Sequence, residues 1–147
     1  MKRIAEVGQL LLRLAIGAGF LIPVMDRLGL LGPPGSGPSW GDWKHFVDYT
    51  NTLIPFASRP MANIMGGFST LAEFVFAIML IVGFRIKEAS LGTALLTLSL
   101  GLCMGIFLKI SAPFDYPVFV FTGAGMVLSG LDHYKWSIDN YVKKRPL

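Results

Sequence analysis

Charged side chains are scarce in this chain: they make up 15% of its 147 residues, whereas hydrophobic residues make up 53%. The mean hydropathy is +0.59. A soluble domain of this size needs a polar surface against water, which this composition cannot fully supply. The expected solvent for much of the surface is therefore lipid. The net charge of +4 does not indicate nucleic-acid binding, because the basic residues flank apolar runs and form no separate patch.

Residues suited to metal binding and thiol chemistry are also few. Cys103 is the single cysteine, which excludes an internal disulfide, a C-x-x-C redox pair and a cysteine-based metal site. The two histidines, His45 and His133, are predicted on opposite sides of the membrane, where they cannot jointly hold a haem or a zinc ion. Motifs for a nucleophilic serine, zinc proteolysis, or phosphate or dinucleotide binding are missing. The sequence therefore predicts no metal, no haem and no self-sufficient set of catalytic residues.

Four apolar segments approach the roughly 20 residues that a helix needs to cross a bilayer. These segments are residues 7–25, 64–84, 89–108 and 116–131. Arg13 is the only ionisable residue of the first segment, and Glu73 is the only one of the second. Buried helices of a soluble protein would carry a polar outer face, which these segments lack. Arg13 also interrupts the apolar stretch that a secretory signal would need, so we interpret the first segment as a retained span. The predicted fold is all-α: a single domain, residues 1–147, forming an integral membrane four-helix bundle.

The positions of Lys and Arg residues predict the orientation of the bundle, because cytoplasmic loops are enriched in both. With the N-terminus inside, eight of these residues lie on the inner side and four on the outer side. The inner set is Lys2, Arg3, Arg85, Lys87, Lys135, Lys143, Lys144 and Arg145, and the outer set is Arg27, Lys44, Arg59 and Lys109. We expect both termini in the cytoplasm, with the basic residues 143–145 held at an anionic inner leaflet.

The outer connection, residues 26–61, is too long for a simple turn. Its Gly/Pro-rich run at residues 32–38 predicts irregular backbone. Residues 39–42 then fit an S-x-x-D capping pattern, and apolar residues recur on one helical face from residue 43 onward. We therefore predict a short amphipathic helix in the outer interface, which either anchors the loop or covers the outer mouth of the bundle. Its anchoring aromatic residues are Trp40, Trp43 and Phe46.

Arg13 and Glu73 are the most informative residues, because a charged side chain within hydrocarbon is costly. Counted by helical rise from the inner boundary, Arg13 lies roughly 13 Å deep and Glu73 roughly 16 Å deep. The same count places Thr97 about 12 Å deep and Thr122 about 14 Å deep. We therefore predict one polar layer to which all four helices contribute, with a buried Arg13–Glu73 ion pair. The layer is either a ligand or proton site, or a structural device that sets helix register.

A second group of polar residues is predicted at the outer side. Asp26 and Arg27 end the first span. The turn between the last two spans contains Lys109, Asp115 and Tyr116. These residues either line a mouth beneath the interfacial helix or are ordinary charged helix ends.

Small residues recur at four-residue spacing inside the predicted spans. Gly101 and Gly105 form a G-x-x-x-G motif, and Gly125 with Ser129 repeats the spacing. Such spacing lets two helices approach closely. We interpret it first as packing within the chain, with a homodimer as the alternative.

Three stretches carry a resemblance to a known family. Arg13 begins the stretch Arg-Leu-Ala-Ile-Gly, and Glu73 lies in Leu-Ala-Glu-Phe-Val-Phe. Residues 112–119 have the sequence Ala-Pro-Phe-Asp-Tyr-Pro-Val-Phe. In order and spacing over nearly the whole chain, they resemble the DoxX family of small four-helix membrane proteins. Many members end the first span with His-Gly and a nearby Lys, where this chain has Pro23–Arg27, so no role of that histidine is transferred.

The resemblance implies a multi-pass protein of the bacterial inner membrane, in a family tied to quinone-linked oxidation of reduced sulfur compounds and to membrane oxidoreductase complexes. Together with the polar layer, the resemblance predicts a non-catalytic or partner-dependent subunit that binds a lipophilic molecule. A quinone is the candidate for that molecule. Any redox activity would then come from an oxidoreductase partner or the bound quinone. Two other classes stay open. One is a small transporter or exporter with the Arg13 and Glu73 layer as a midplane site, which would need a dimer because four helices are few for alternating access, and the other is a membrane scaffold or assembly factor.

Cysteine accessibility tests the predicted orientation. A membrane-impermeant thiol reagent added outside should label a cysteine placed at Ser36, because the Gly/Pro-rich connection is expected there. The same reagent should not label a cysteine placed at Ser137, which follows the last predicted span. The opposite labelling pattern would reverse the topology.

Overall fold

The computed structural model describes residues 2–35 and 39–143, and within them the protein is built from seven helices and no strands. The helices are α1 (Lys2–Arg27), α2 (Trp43–Leu53), α3 (Arg59–Val82), α4 (Ile86–Phe107), α5 (Ala112–Asp115), α6 (Val118–Ser129) and α7 (Ile138–Lys143). The all-α prediction is therefore confirmed. Residues 36–38 of the Gly/Pro-rich run, including Ser36, and the basic residues Lys144 and Arg145 lie outside the described residues.

Three helices, α1, α3 and α4, are long and apolar enough to cross a membrane, with mean hydropathies of 1.8, 2.0 and 1.8. They coincide with the first three predicted spans. The predicted fourth span corresponds to α6, which has only 12 residues because Pro117 precedes its first turn and Gly130 ends it. A helix of that size is about 18 Å long, which is short of the roughly 30 Å of a bilayer core. The fourth span is therefore shorter than the sequence predicted.

A left-handed glycine ends α3 two residues earlier than predicted. Gly83 has φ 76°, and the N–H groups of Gly83 and Phe84 both donate to the carbonyl of Met79 at 2.9 Å. Any side chain at this position would collide with Arg13 and Ser137. The resulting tight turn sends α4 back antiparallel to α3.

The long helices and α6 form a closed ring. α1 packs along α3, α3 along α4, and α4 along α6, which in turn contacts α1. Glycines allow the close approaches: Gly101 of α4 faces the ring of Phe119, and Gly125 of α6 lies against the backbone of Ser90. The first glycine of the G-x-x-x-G motif therefore serves packing within the chain.

The predicted amphipathic helix is confirmed as α2, which packs chiefly on α3 and also contacts α4. Its buried residues are Phe46, Val47 and Leu53. The predicted S-x-x-D cap is wrong in detail, because Asp42 is the N-cap residue and its carboxylate accepts from the His45 N–H at 2.8 Å. Hydrogen bonds from the backbone and ring of His45 lower the pKa of Asp42.

The chain after α6 folds back over the end of the ring at which α1 begins and α3 ends, which is the inner end in the predicted orientation; the opposite end is the outer end. Tyr134 is buried in a core cluster with Leu80, Ile86 and Leu128, and its hydroxyl donates to the carbonyl of Leu128 at 2.8 Å. The Asp139 carboxylate accepts from the N–H groups of Arg85, the N-cap residue of α4, and of Ile86, at 2.8 and 2.9 Å. These contacts fasten the last part of the chain to the turn between α3 and α4.

The variant Tyr134→Phe should flatten the loss of stability at alkaline pH. Burial, with nearby carboxylates, raises the pKa of Tyr134 from 10.0 to about 12. Because the folded state holds this proton more tightly, the stabilisation is complete below the unfolded pKa and is lost as pH rises towards the folded pKa. At neutral pH the variant should lose about 1 kcal/mol of unfolding free energy with the hydrogen bond. Equilibrium unfolding across this pH range measures both effects, and parallel pH profiles for the two proteins would contradict the assignment.

Candidate functional site

A cavity of about 1200 Å³ lies in the outer half of the bundle. Its walls are the outer parts of α1, α3 and α4, and α2 lies across it. Most of the lining is apolar, and α2 contributes Phe46, Tyr49 and Leu53. Residues of α2 thus form a wall of the cavity, which corresponds to the covering role predicted for the interfacial helix; its anchoring role stays a prediction.

The cavity opens sideways onto the apolar surface of the bundle. Ile22, Met65 and Phe68 all line it, yet they are 57%, 45% and 70% exposed. These side chains lie on helices that are apolar enough to cross a membrane. A lipophilic molecule in the surrounding hydrocarbon would therefore meet the cavity without passing through water.

A buried ion pair forms the polar wall of the cavity. Arg27 and Glu73 are only 5% and 3% exposed, and Arg27 Nη1 lies 2.7 Å from Glu73 Oε2. Arg27 also donates to the Thr70 hydroxyl at 2.9 Å, and the Ser69 hydroxyl donates to Glu73 at 3.2 Å. The pair joins the outer end of α1 to the middle of α3, with hydroxyl groups satisfying part of its remaining hydrogen-bonding capacity.

Aromatic rings cover the guanidinium of Arg27. Its central carbon lies 4.1 Å from the ring centroid of Phe46 and 5.0 Å from that of Trp40, within cation–π range. The neighbouring carboxylate of Asp26 accepts from the backbone N–H groups of Trp40 and Gly41, at 3.0 and 2.7 Å. The last turn of α1 thus holds both the loop before α2 and α2 itself over the cavity.

Two polar atoms of this site have no hydrogen-bond partner within the described residues: Arg27 Nε, and Glu73 Oε2, which lies 2.7 Å from Arg27 Nη1 as an ion pair only. Arg27 Nε is buried and donates to no acceptor there, although Arg27 lines the cavity. Leaving a buried donor unpaired is costly, so an acceptor on a bound molecule would relieve that cost. Because Glu73 neutralises the guanidinium and two amide groups hold Asp26, the site favours a neutral acceptor over a charged one.

The predicted pairing of Arg13 with Glu73 is wrong. Arg13 is fully buried, and its guanidinium donates to backbone carbonyls, the closest being that of Leu80 at 3.0 Å. At 3.4 Å it donates to Ile81 O, Lys135 O, Trp136 O and the Gln9 side chain. Arg13 therefore joins three parts of the inner end and does not reach the cavity.

The physical reason is the register of α1 against α3. The prediction assumed that both helices reach the inner boundary at the same depth, whereas Arg13 contacts Leu80 in the last turn of α3. Leu80 is about 10 Å farther inward than Glu73 along the helix. The first turns of α1 therefore extend past α3, where Lys135 contacts Glu6 at 2.7 Å and Gln9 donates to the Lys135 carbonyl at 2.9 Å.

The remaining members of the predicted polar layer form a separate pair. The hydroxyls of Thr97 and Thr122 lie 2.9 Å apart and join α4 to α6. Neither residue lines the cavity. The structure thus divides the predicted single layer into three: Arg13 at the inner end, the two threonines between α4 and α6, and Glu73 in the cavity.

The predicted outer mouth is divided in the same way. Asp26 and Arg27 belong to the cavity, whereas Lys109 and Asp115 form an exposed ion pair of 2.8 Å at a separate hollow. The hydrogen bond to the aspartate raises the pKa of Lys109. Tyr116 lines both spaces.

The predicted aromatic anchors also differ in position. Trp40 and Phe46 line the cavity, whereas Trp43 does not and donates from Nε1 to the Asn63 side chain at 2.7 Å.

Within residues 2–35 and 39–143, His, Cys, Asp and Glu form no group of three or more that could hold a metal ion.

Sequence reasoning missed Arg27 as the partner of Glu73, because hydropathy alone places Arg27 at the end of a span. One signal was available. Ser69 and Thr70 precede Glu73 by four and three residues, so all three side chains share one helical face. That polar face within an apolar helix indicates an internal polar contact, without identifying the cation that completes it.

Comparison of the chain with protein-family models, with curated proteins and with solved structures found no match.

Two double-mutant cycles test the observed pairing against the one predicted from sequence. Arg27→Ala or Glu73→Ala alone should lower the unfolding free energy by about 3 to 5 kcal/mol, because each leaves a buried charge unpaired. The double variant should lose clearly less than the sum. The matched control is the cycle between Arg13→Ala and Glu73→Ala, which should be additive within about 0.5 kcal/mol because these side chains do not touch. Unfolding in mixed micelles measures both; coupling only in the second cycle would overturn the pairing described here.

Proposed function

We propose that the protein is a DoxX-like membrane subunit that binds a neutral lipophilic molecule, a quinone, in the cavity beneath α2. The observation that carries the proposal is a cavity of about 1200 Å³ with mostly apolar walls and a buried, neutralised Arg27–Glu73 pair in its polar wall, where the Nε donor of Arg27 has no partner among the described residues. A quinone combines an apolar body with neutral carbonyl acceptors. Those two features correspond to the apolar walls and to the unpaired donor.

The lining residues have distinct roles in this proposal. Ile22, Met65 and Phe68 form the opening through which the molecule enters from the hydrocarbon. Arg27 donates to a carbonyl oxygen of the head group. Glu73 neutralises the guanidinium and fixes its direction, so it is a positioning residue. Because a dry surrounding strengthens such a hydrogen bond, one donor suffices to orient a largely apolar molecule.

In this proposal the bound quinone carries the electrons. The catalytic residues belong to a partner oxidoreductase. We place the protein in a bacterial inner membrane with both termini cytoplasmic, from the distribution of Lys and Arg. With this orientation, the cavity lies in the outer half of the bilayer. The transporter alternative was based on a midplane site formed by Arg13 and Glu73 together. The two side chains have different partners, Leu80 and Arg27, so this site is not formed.

A cavity-filling variant tests the binding. Ala72 lines the cavity, so Ala72→Phe should reduce labelling by a photoreactive quinone analogue by about tenfold, which corresponds to about 1.4 kcal/mol of binding free energy. The matched control is Ala15→Phe, because Ala15 is an exposed residue of α1 that does not line the cavity. Unlabelled decylubiquinone should compete for the labelling of the wild-type protein.

Two results would refute the binding proposal. One is equal labelling of the wild-type protein and both phenylalanine variants, and the other is labelling that decylubiquinone does not reduce. If the protein is instead a scaffold, Glu73→Gln will lower its thermal stability while quinone labelling remains absent from wild type and variant alike.

A further inference from the structure

A second hollow of about 720 Å³ lies on the outer side, next to the ligand cavity. Lys109 and Asp115 form its charged rim, and both side chains are exposed. The surface of this outer hollow is therefore wet, in contrast to the apolar side opening of the ligand cavity. The two openings of the site face different solvents.

Two tyrosines separate these spaces. Tyr49 of α2 and Tyr116, which follows α5, are the residues that line both the ligand cavity and the outer hollow. Tyr49 packs against the Leu53 and Met104 cluster on the cavity side, together with Cys103. Tyr116 is 57% exposed. These two side chains therefore form the shared boundary of the two spaces.

The tyrosines are held by packing alone. Neither hydroxyl forms a hydrogen bond with another of the described residues, whereas the buried hydroxyl of Tyr134 does. Burial raises the pKa of Tyr49, and Tyr116 adds to the shift, as expected for rings that lie close together. Side chains without polar anchors change rotamer at low cost, so this partition is suited to opening.

We propose that Tyr49 and Tyr116 form a gate between the outer hollow and the ligand cavity, through which a small water-soluble molecule reaches the polar end of the bound lipophile. This proposal rests on the proposed function for the identity of the lipophile. The opposite charges of Lys109 and Asp115 neutralise each other, so the entrance selects for small size and polarity more than for charge. An apolar molecule thus enters from lipid and a polar one from water.

Cys103 is a natural probe for the gate, because it lines the cavity and is the single cysteine of the chain. The full-length protein in lipid nanodiscs is treated, without ligand, with a cationic methanethiosulfonate reagent that does not enter lipid. Tyr49→Ala and Tyr116→Ala should each speed modification of Cys103 by about tenfold over wild type, because thiol reactivity follows access. Tyr49→Phe should modify Cys103 at the wild-type rate, because this variant keeps the aromatic ring that closes the passage.

The matched control is Phe114→Ala, which removes an exposed aromatic ring of α5 that lines neither space. Its rate should equal that of wild type. Equal rates in wild type and both tyrosine-to-alanine variants would overturn the gate, as would equal acceleration by Phe114→Ala. If one of the two tyrosine-to-alanine variants does not fold, the rate of Cys103 modification in the other variant tests the gate.

Adding decylubiquinone separates the gate from the proposed function. In Tyr116→Ala, modification of Cys103 that is faster than in wild type and is slowed by decylubiquinone supports both proposals together. Faster modification without such protection supports the gate and refutes quinone binding. Protection without any acceleration refutes the gate and leaves quinone binding supported.

Discussion

The outer half of this protein depends on the buried ion pair between Arg27 and Glu73. Either charge alone would be costly in an apolar surrounding, but their close contact and the hydroxyls of Ser69 and Thr70 offset that cost. The pair fixes the outer end of α1 against the middle of α3. Because the ring of Phe46 lies on the same guanidinium, the pair also fixes the helix that covers the cavity.

Arg13, in the inner half of the same helix, is stabilised by different partners. Among the described residues Arg13 forms no ion pair with a carboxylate, and it donates to carbonyl groups, including those of Leu80 and Ile81 in the last turn of α3. The last carbonyls of a helix lack partners within it and carry the negative end of its dipole. A guanidinium with five donors therefore satisfies several of them at once, and in doing so it joins α1, α3 and the segment before α7.

The cavity combines three environments within one small bundle. Its side opening is apolar, its polar wall carries a neutralised charge pair, and its boundary at Tyr49 and Tyr116 faces a hollow with an exposed ion pair at its rim. An apolar molecule with a polar end would satisfy the first two of these environments. The third matters because a polar reactant cannot approach through hydrocarbon, so a site shared by lipid and water needs two separate openings.

The sequence by itself determined the helical class, the three long apolar helices and the amphipathic helix between the first two of them. These features follow from hydropathy and periodicity, which accumulate along neighbouring residues and do not depend on what lies across the bundle. Only the tertiary structure decided which polar groups meet. Whether Glu73 contacts Arg13 or Arg27 depends on the register of α1 against α3, and a shift of a few residues at either helix end moves a side chain by a full turn. That register follows from packing around Gly83 and from the segment after α6, both of which involve residues far apart in the chain.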